Sequence, residues 1–244
     1  FFAVINIITR TAASIDGIKA DGAAGTHGLG MGRVSFGHAF DNGAELALSA
    51  RHQERGGDEQ LYFEAFDAPE TNNGIAENLD GETATTVYGQ VKWRGFTLTA
   101  TAGERSRYVP TAWYYTAFDN HEAPERTVDA RAMAHATYER TTGKTTWTID
   151  ASFDHLKYDA VYPYLGADVG SEQDVAANLD LALGRRWAIG AKARRPLPGR
   201  QTLVAGVEYI DNFTQRQENF YDDPLLEAFV SDESSHQLAL FAVD

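Results

Sequence analysis

The residues best equipped for recognition lie in one short stretch, "YVPTAWYYTAFDN" (Tyr108 to Asn120), followed at once by His121. Tyr108, Trp113, Tyr114, Tyr115 and Phe118 offer rigid rings with few torsions, suited to stacking on a flat catecholate or macrocycle. His121 adds a ring nitrogen able to ligate haem or a metal. The same rings can instead pack the segment against its neighbours, and both uses stand open. A second stretch, Gly56 to Glu82, is rich in carboxylates: Asp58, Glu59, Glu64, Asp67, Glu70, Glu77, Asp80 and Glu82. Their spacing does not match an EF-hand loop, and they read as solvated loop charge.

Covalent chemistry finds no home in this chain. There is no G-x-S-x-G, P-loop or H-E-x-x-H pattern, and the Asp and Glu residues offer no pairing suited to glycosidase chemistry. The absence of cysteine removes thiolate nucleophiles, thiolate metal sites and disulfides. The seven histidines are scattered, with no H-x-x-x-H pair. We therefore expect no catalytic residue, no resident metal and no cofactor. With 35 acidic against 21 basic residues and a net charge of −14, the chain would repel phosphate backbones, so nucleic acid is not an expected partner.

The elements that must position these loops show period-two alternation, repeated many times. In "GRVSFGHAF" Val34, Phe36 and Phe40 share a face, interrupted by His38, while Arg33, Ser35 and Gly37 share the other. The turn Asp41 to Gly43 leads to "ELALSAR", where Leu46, Leu48 and Ala50 alternate with Glu45, Ala47, Ser49 and Arg51. A second hairpin turns at Arg94-Gly95, its apolar set running Val87, Gly89, Val91 and Trp93, then Phe96, Leu98, Ala100 and Ala102. A third pairs Ala130 to Tyr138 with Trp147 to Phe153, where His155 again interrupts the apolar set; a fourth pairs Trp187 to Ala193 with Leu203 to Tyr209. A last strand, "HQLALFAVD", closes the sequence. The facing sets are polar and include Lys92, Arg131, Glu139, Asp150, Lys192 and Glu208.

Connection lengths alternate as well. Turns within hairpins take about two to five residues, whereas the chain spends far more at Glu54 to Thr83, Arg107 to Arg126, Asp159 to Arg186 and Thr214 to Ser234. Phe40, Trp93, Phe96, Tyr138 and Trp147 lie near the short turns on the apolar faces, as an interfacial aromatic belt would; Trp187 and Tyr158 would begin the opposite belt. Strands of about ten residues suit a tilted crossing of the hydrocarbon layer. The predicted fold is all-β: an antiparallel up-and-down transmembrane β-barrel of the outer-membrane type, with about ten strands present. Outer-membrane lipid would be its surroundings and the outer membrane of a Gram-negative cell its location. A soluble antiparallel sandwich is the plainer alternative. Residues 1 to 13 lack the basic region and continuous apolar core of a signal peptide, so the signal of an exported protein would lie upstream of Phe1.

The opening "FFAVINIITR" resembles the close of the plug domain of TonB-dependent outer-membrane receptors, through Ala3, Val4, Ile5, Asn6, Ile7, Ile8, Thr9 and Arg10. "FDAPETNNGIAENLDGE" and "YVPTAWYYTAFDN" resemble external loops of a bacterial subgroup, and "LVAGVEYIDNF" resembles a later barrel strand. The resemblance implies that residues 1–14 are the end of a plug and a linker, and 15–244 the N-terminal part of a barrel expected to have 22 strands. On that footing the chain is a partial receptor. It implies short turns in the periplasm, long loops outside, and energy-coupled uptake of a ferric siderophore, haem or cobalamin. The implied partners are the TonB complex, reached through a region N-terminal to this sequence, and a small-molecule metal chelate or similar nutrient held by the aromatic loop. A passive outer-membrane channel or structural barrel, and a soluble β-rich binding module, are the competing expectations.

Overall fold

The computed structural model describes residues 9–169, 174–199, 201–222 and 229–244. Strands are β1 (Gly17–Ala24), β2 (Gly30–Ala39), β3 (Glu45–Arg55), β4 (Gln60–Tyr62), β5 (Ile75–Glu77), β6 (Glu82–Trp93), β7 (Phe96–Tyr108), β8 (Arg126–Thr142), β9 (Thr145–Leu165), β10 (Val175–Pro196), β11 (Thr202–Tyr221) and β12 (Phe229–Val243). All but β4 and β5 form one ten-stranded antiparallel sheet in which spatial order follows chain order. The expected all-β, up-and-down arrangement of ten strands is therefore present. β4 and β5 pair only with each other, as a small ribbon between β3 and β6. Among the described residues the sheet is open, with β1 and β12 at its edges.

Cross-strand registers carry the sequence alternation into two distinct faces. One row runs Leu46, Val91, Leu98, Ala136, Ala151, Ile189, Tyr209, Leu238, and the row below it Trp93, Phe96, Tyr138, Ile149, Ala191, Val207, Leu240. The row above runs Phe36, Leu48, Gly89, Ala100, Ala134, Phe153, Trp187 and meets its first charge at Asp211 on β11. The opposite face alternates with these in polar rows, such as Ser35, Ser49, Tyr88, Thr101, Met133, Asp154, Arg186. His38 and His155 do lie on the apolar face. His38 stands between Phe36 and Phe40, and His155 marks the upper edge of the apolar band beside Arg185.

Large side chains on the apolar face, including Val34, Leu48, Val87, Ile149, Phe153, Ile189 and Leu240, are exposed. No helix or second sheet packs over them among the described residues. From Val87 to Trp93 the band extends roughly 20 Å along the strand at about 3.3 Å per residue. The predicted belt residues Phe40, Trp93, Phe96, Tyr138 and Trp147 are likewise exposed. Tyr158 departs from expectation: it lies on the polar face, where its hydroxyl is 2.8 Å from that of Tyr162.

The hairpin at Arg94-Gly95 has both residues in the left-handed region (φ 47° and 81°), the combination whose twist suits a two-residue hairpin. A Cβ on Gly95 would stand 2.4 Å from the Glu139 carbonyl oxygen, so this turn packs against β8 as well as reversing the chain.

Three connections differ from expectation. The expected loop Asp159 to Arg186 is mostly strand, since β9 continues to Leu165, a short helix α2 (Gly166–Val169) follows, and β10 begins at Val175. The expected loop Thr214 to Ser234 is likewise shortened by β11 and β12. Pro163 is tolerated inside β9 because its carbonyl accepts from Ala117 N (2.6 Å): its edge there faces the β7–β8 loop, so its missing N–H takes nothing from the β9–β10 ladder. Finally, β1 and β2 are joined at the loop end by only Gly25 to Leu29, so not every connection at that end is long.

A short helix α1 (Ala12–Ile15), capped by Thr11 Oγ1 accepting from Ser14 N, precedes β1. It lies on the polar face, covering Ala47, which is 1% exposed. Gly37, paired with Ala47, makes this approach possible: a Cβ there would meet Ala12 O at 2.4 Å.

Candidate functional site

The β7–β8 loop, Val109 to Glu125, folds back over the polar face of the sheet. Its floor is the β9–β10 extension, whose Ala160, Tyr162, Pro163, Ala176 and Asn178 are buried. Tyr114 meets Tyr162 edge-on with ring centroids 5.5 Å apart, and Ala117 N donates to Pro163 O. The strand extension that replaces an expected loop is thus the platform for the aromatic segment.

Glu125 fastens the loop from within. It is 4% exposed, and its Oε2 accepts from Thr116 Oγ1 (2.6 Å) and Trp113 N (3.1 Å). Burial pushes its carboxyl above the usual carboxylate range, and the bonds from Thr116 and Trp113 pull the other way. Its Oε1 is buried without a hydrogen-bond partner among the described residues.

The β3–β6 loop braces the same assembly from the side. Phe118 stacks on Phe66 (4.3 Å between centroids, 14° between planes) and meets Phe63 edge-on. Asp119 Oδ1 accepts from Glu77 N (2.8 Å), and its Oδ2 accepts from Asn72 Nδ2 (2.9 Å). Glu77 belongs to β5, so the small ribbon serves as a strut between the two loops.

The predicted recognition residues therefore divide. Phe118 packs loop against loop. Tyr108 ends β7, with its N–H donating to Gly81 O (2.9 Å). His121 has Nε2 3.2 Å from Asp119 Oδ1 and joins no ring pair among the described residues. Trp113, Tyr114 and Tyr115 stand together at the surface, Tyr115 being 97% exposed. Ala112, Tyr114 and Tyr115 all have positive φ (45°, 57° and 65°), a conformation costing on the order of 1 kcal/mol or more for each residue with a Cβ. Backbone strain spent on displaying an exposed ring marks this turn as the candidate ligand-facing surface.

Glu125, Tyr162 and Pro163 support the aromatic segment, and the sequence did not single them out: they fall inside the expected loops Arg107 to Arg126 and Asp159 to Arg186. At the other end of the chain, Ala3, Val4, Ile5, Asn6, Ile7 and Ile8 lie outside the described residues. Thr9 is placed: its Oγ1 accepts from Tyr88 Oη at 3.1 Å on the polar face, beside Arg10 in a hollow lined also by Lys19, Asp21 and Arg33. Searches against protein-family models, curated proteins and solved structures find no match to this chain.

Proposed function

We propose that the chain forms part of the wall and outer loops of an outer-membrane β-barrel receptor of the TonB-dependent kind, which takes up a scarce nutrient such as a ferric siderophore, haem or cobalamin. The observation that carries this reading is the division of one ten-stranded sheet into a polar face and an uncovered, apolar face, free of carboxylates, lysine and arginine through its middle rows. In water such a face would be a large aggregation surface; in lipid it is the required one. The N-terminal segment, with Thr9 bonded to Tyr88 and α1 seated on Gly37 and Ala47, lies on the polar side, as a plug remnant inside a lumen would. The exposed Trp113–Tyr115 turn then faces the outside, where a planar or catecholate ligand can stack on it. In this role the chain is a transporter component, with lipid on one side and the nutrient and TonB-linked machinery on the other.

The protein has no cysteine, so single substitutions give clean topology markers. In a Gram-negative host producing the protein with an export signal, a membrane-impermeant maleimide is expected to label Tyr115→Cys on intact cells and Lys144→Cys only after lysis. Uptake of a labelled ferric chelate, haem or cobalamin should stop when a protonophore collapses the gradient. Solute leakage indifferent to the gradient would favour a passive channel instead, and a protein recovered wholly in the soluble fraction would remove both.

A further inference from the structure

Arg185 is out of place on the apolar face. It pairs in register with His155 one row above Trp187, whose row carries Asp211 on the neighbouring β11, and the β10–β11 pairing shifts register between Arg185 and Trp187. Its Nε donates to His155 Nδ1 (3.2 Å), and its terminal nitrogens make no hydrogen bond among the described residues. Arg33, Arg55, Arg105, Arg131, Arg186 and Arg216 each reach a carboxylate; among the described residues Arg185 reaches none, a state it shares with others such as Arg51, Arg107 and Arg126. One row higher stand Lys157 and Arg216, engaged with Asp159 and Glu218 of their own strands.

Below this cation the same face is hollowed. Gly89, Ala100, Ala102, Ala132 and Ala134 on β6, β7 and β8 form a floor of small side chains, walled by Leu48 and Val87 on one side and Phe153 on the other. The hollow is about 430 Å³ and continues past Ala132 to His155, where Glu104 also lines it; Arg185 stands beyond it, across β9 from Ala132. A rod-like apolar group fits a groove of this lining, and a phosphate fits a guanidinium held with its terminal nitrogens free.

Resting on the reading that this face meets lipid, we propose that it holds a specific phosphorylated lipid, with an acyl chain lying in the β6–β8 groove and the phosphate on Arg185. A free phosphate would have no use for the groove, and a zwitterionic lipid would leave Arg185 without a net countercharge. The site places an anionic headgroup at the loop end of the sheet, where it would hold β8 to β10 beneath the aromatic loop.

The test is native mass spectrometry of the protein taken from vesicles of equal parts phosphatidic acid and phosphatidylcholine, with protease protection reporting insertion. The inserted protein is expected to retain phosphatidic acid over phosphatidylcholine by about fivefold or more, the scale of one cation at a membrane surface. Arg185→Gln should abolish that preference, and Ala132→Phe should reduce retention by filling the groove. Arg216→Gln, whose guanidinium already has Glu218, should leave it unchanged. Excess inorganic phosphate should not displace the lipid. Insertion without preference, or a preference untouched by Arg185→Gln, would overturn this site while leaving the membrane reading standing. Displacement by inorganic phosphate would reassign Arg185 to a free anion and overturn it too. Failure to insert would overturn both.

Discussion

At the scale of residues, the aromatic turn sets display against strain. Replacing Tyr115 by Gly removes the ring and relieves a positive-φ conformation in the same step. The expected outcome is unchanged or slightly raised thermal stability with weakened ligand binding, read by calorimetry and ligand titration on one sample. Loss of both together would make the ring structural. Glu125 gives a pH prediction with a definite sign. Its folded-state pKa lies above the ordinary 4.5, so the closed loop binds a proton that the open loop would release. Loop closure is then strongest below pH 4.5, weakens as the pH rises from 4.5 through the raised value, and levels off beyond it. Trp113 fluorescence, or proteolysis within the loop, should follow that course in the native protein and run flat in Glu125→Gln. Glu125→Ala should loosen the loop at every pH by about 1 to 3 kcal/mol, because the Trp113 N–H and Thr116 hydroxyl lose their shared acceptor. The rings were legible in the sequence because their type alone suits stacking. Their division into braces and displayed groups was not, since Phe118 finds Phe66 across 52 positions and only the loop-on-loop contact distinguishes it from Tyr115.

At the scale of elements, alternation made the strand cores and their faces readable, since a one-residue slip would invert every side chain. Strand ends were less so. Pro163 and the glycines around α2 signal a connection, and what overrides them is tertiary: the β7–β8 loop supplies the contacts that carry β9 on to Leu165. The β1–β2 hairpin was obscured because "GIKADGAAGTHGLGMG" is too rich in glycine to show a clear apolar stripe. Turn chemistry yields a sharper test. Gly95→Ala combines an unfavourable positive φ with a 2.4 Å approach to the Glu139 carbonyl, and should cost on the order of 1 to 3 kcal/mol, seen as a lower urea midpoint for the reconstituted protein. Gly143→Ala, whose added Cβ would meet open space, pays only for its positive φ and should cost less. Equal effects would mean that the contact with β8 contributes nothing.

At the scale of the whole molecule, the sheet is two surfaces on one framework, and everything proposed for it depends on which surface meets which medium. The polar face carries α1, the Thr9 contact and the floor of the aromatic loop; among the described residues the apolar face carries nothing but side chains. β1 and β12 run antiparallel to each other, so closing the sheet into a wall would take either their direct pairing or an even number of further strands. The most direct test is a spin-label scan of β7 in lipid vesicles, with cysteine placed singly at Thr97, Leu98, Thr99, Ala100, Thr101 and Ala102. Collision with oxygen, which concentrates in lipid, should be high at 98, 100 and 102, and collision with a polar nickel chelate high at 97, 99 and 101. A profile without that period of two, or with the two probes exchanged, would contradict the assignment of the apolar face to the membrane.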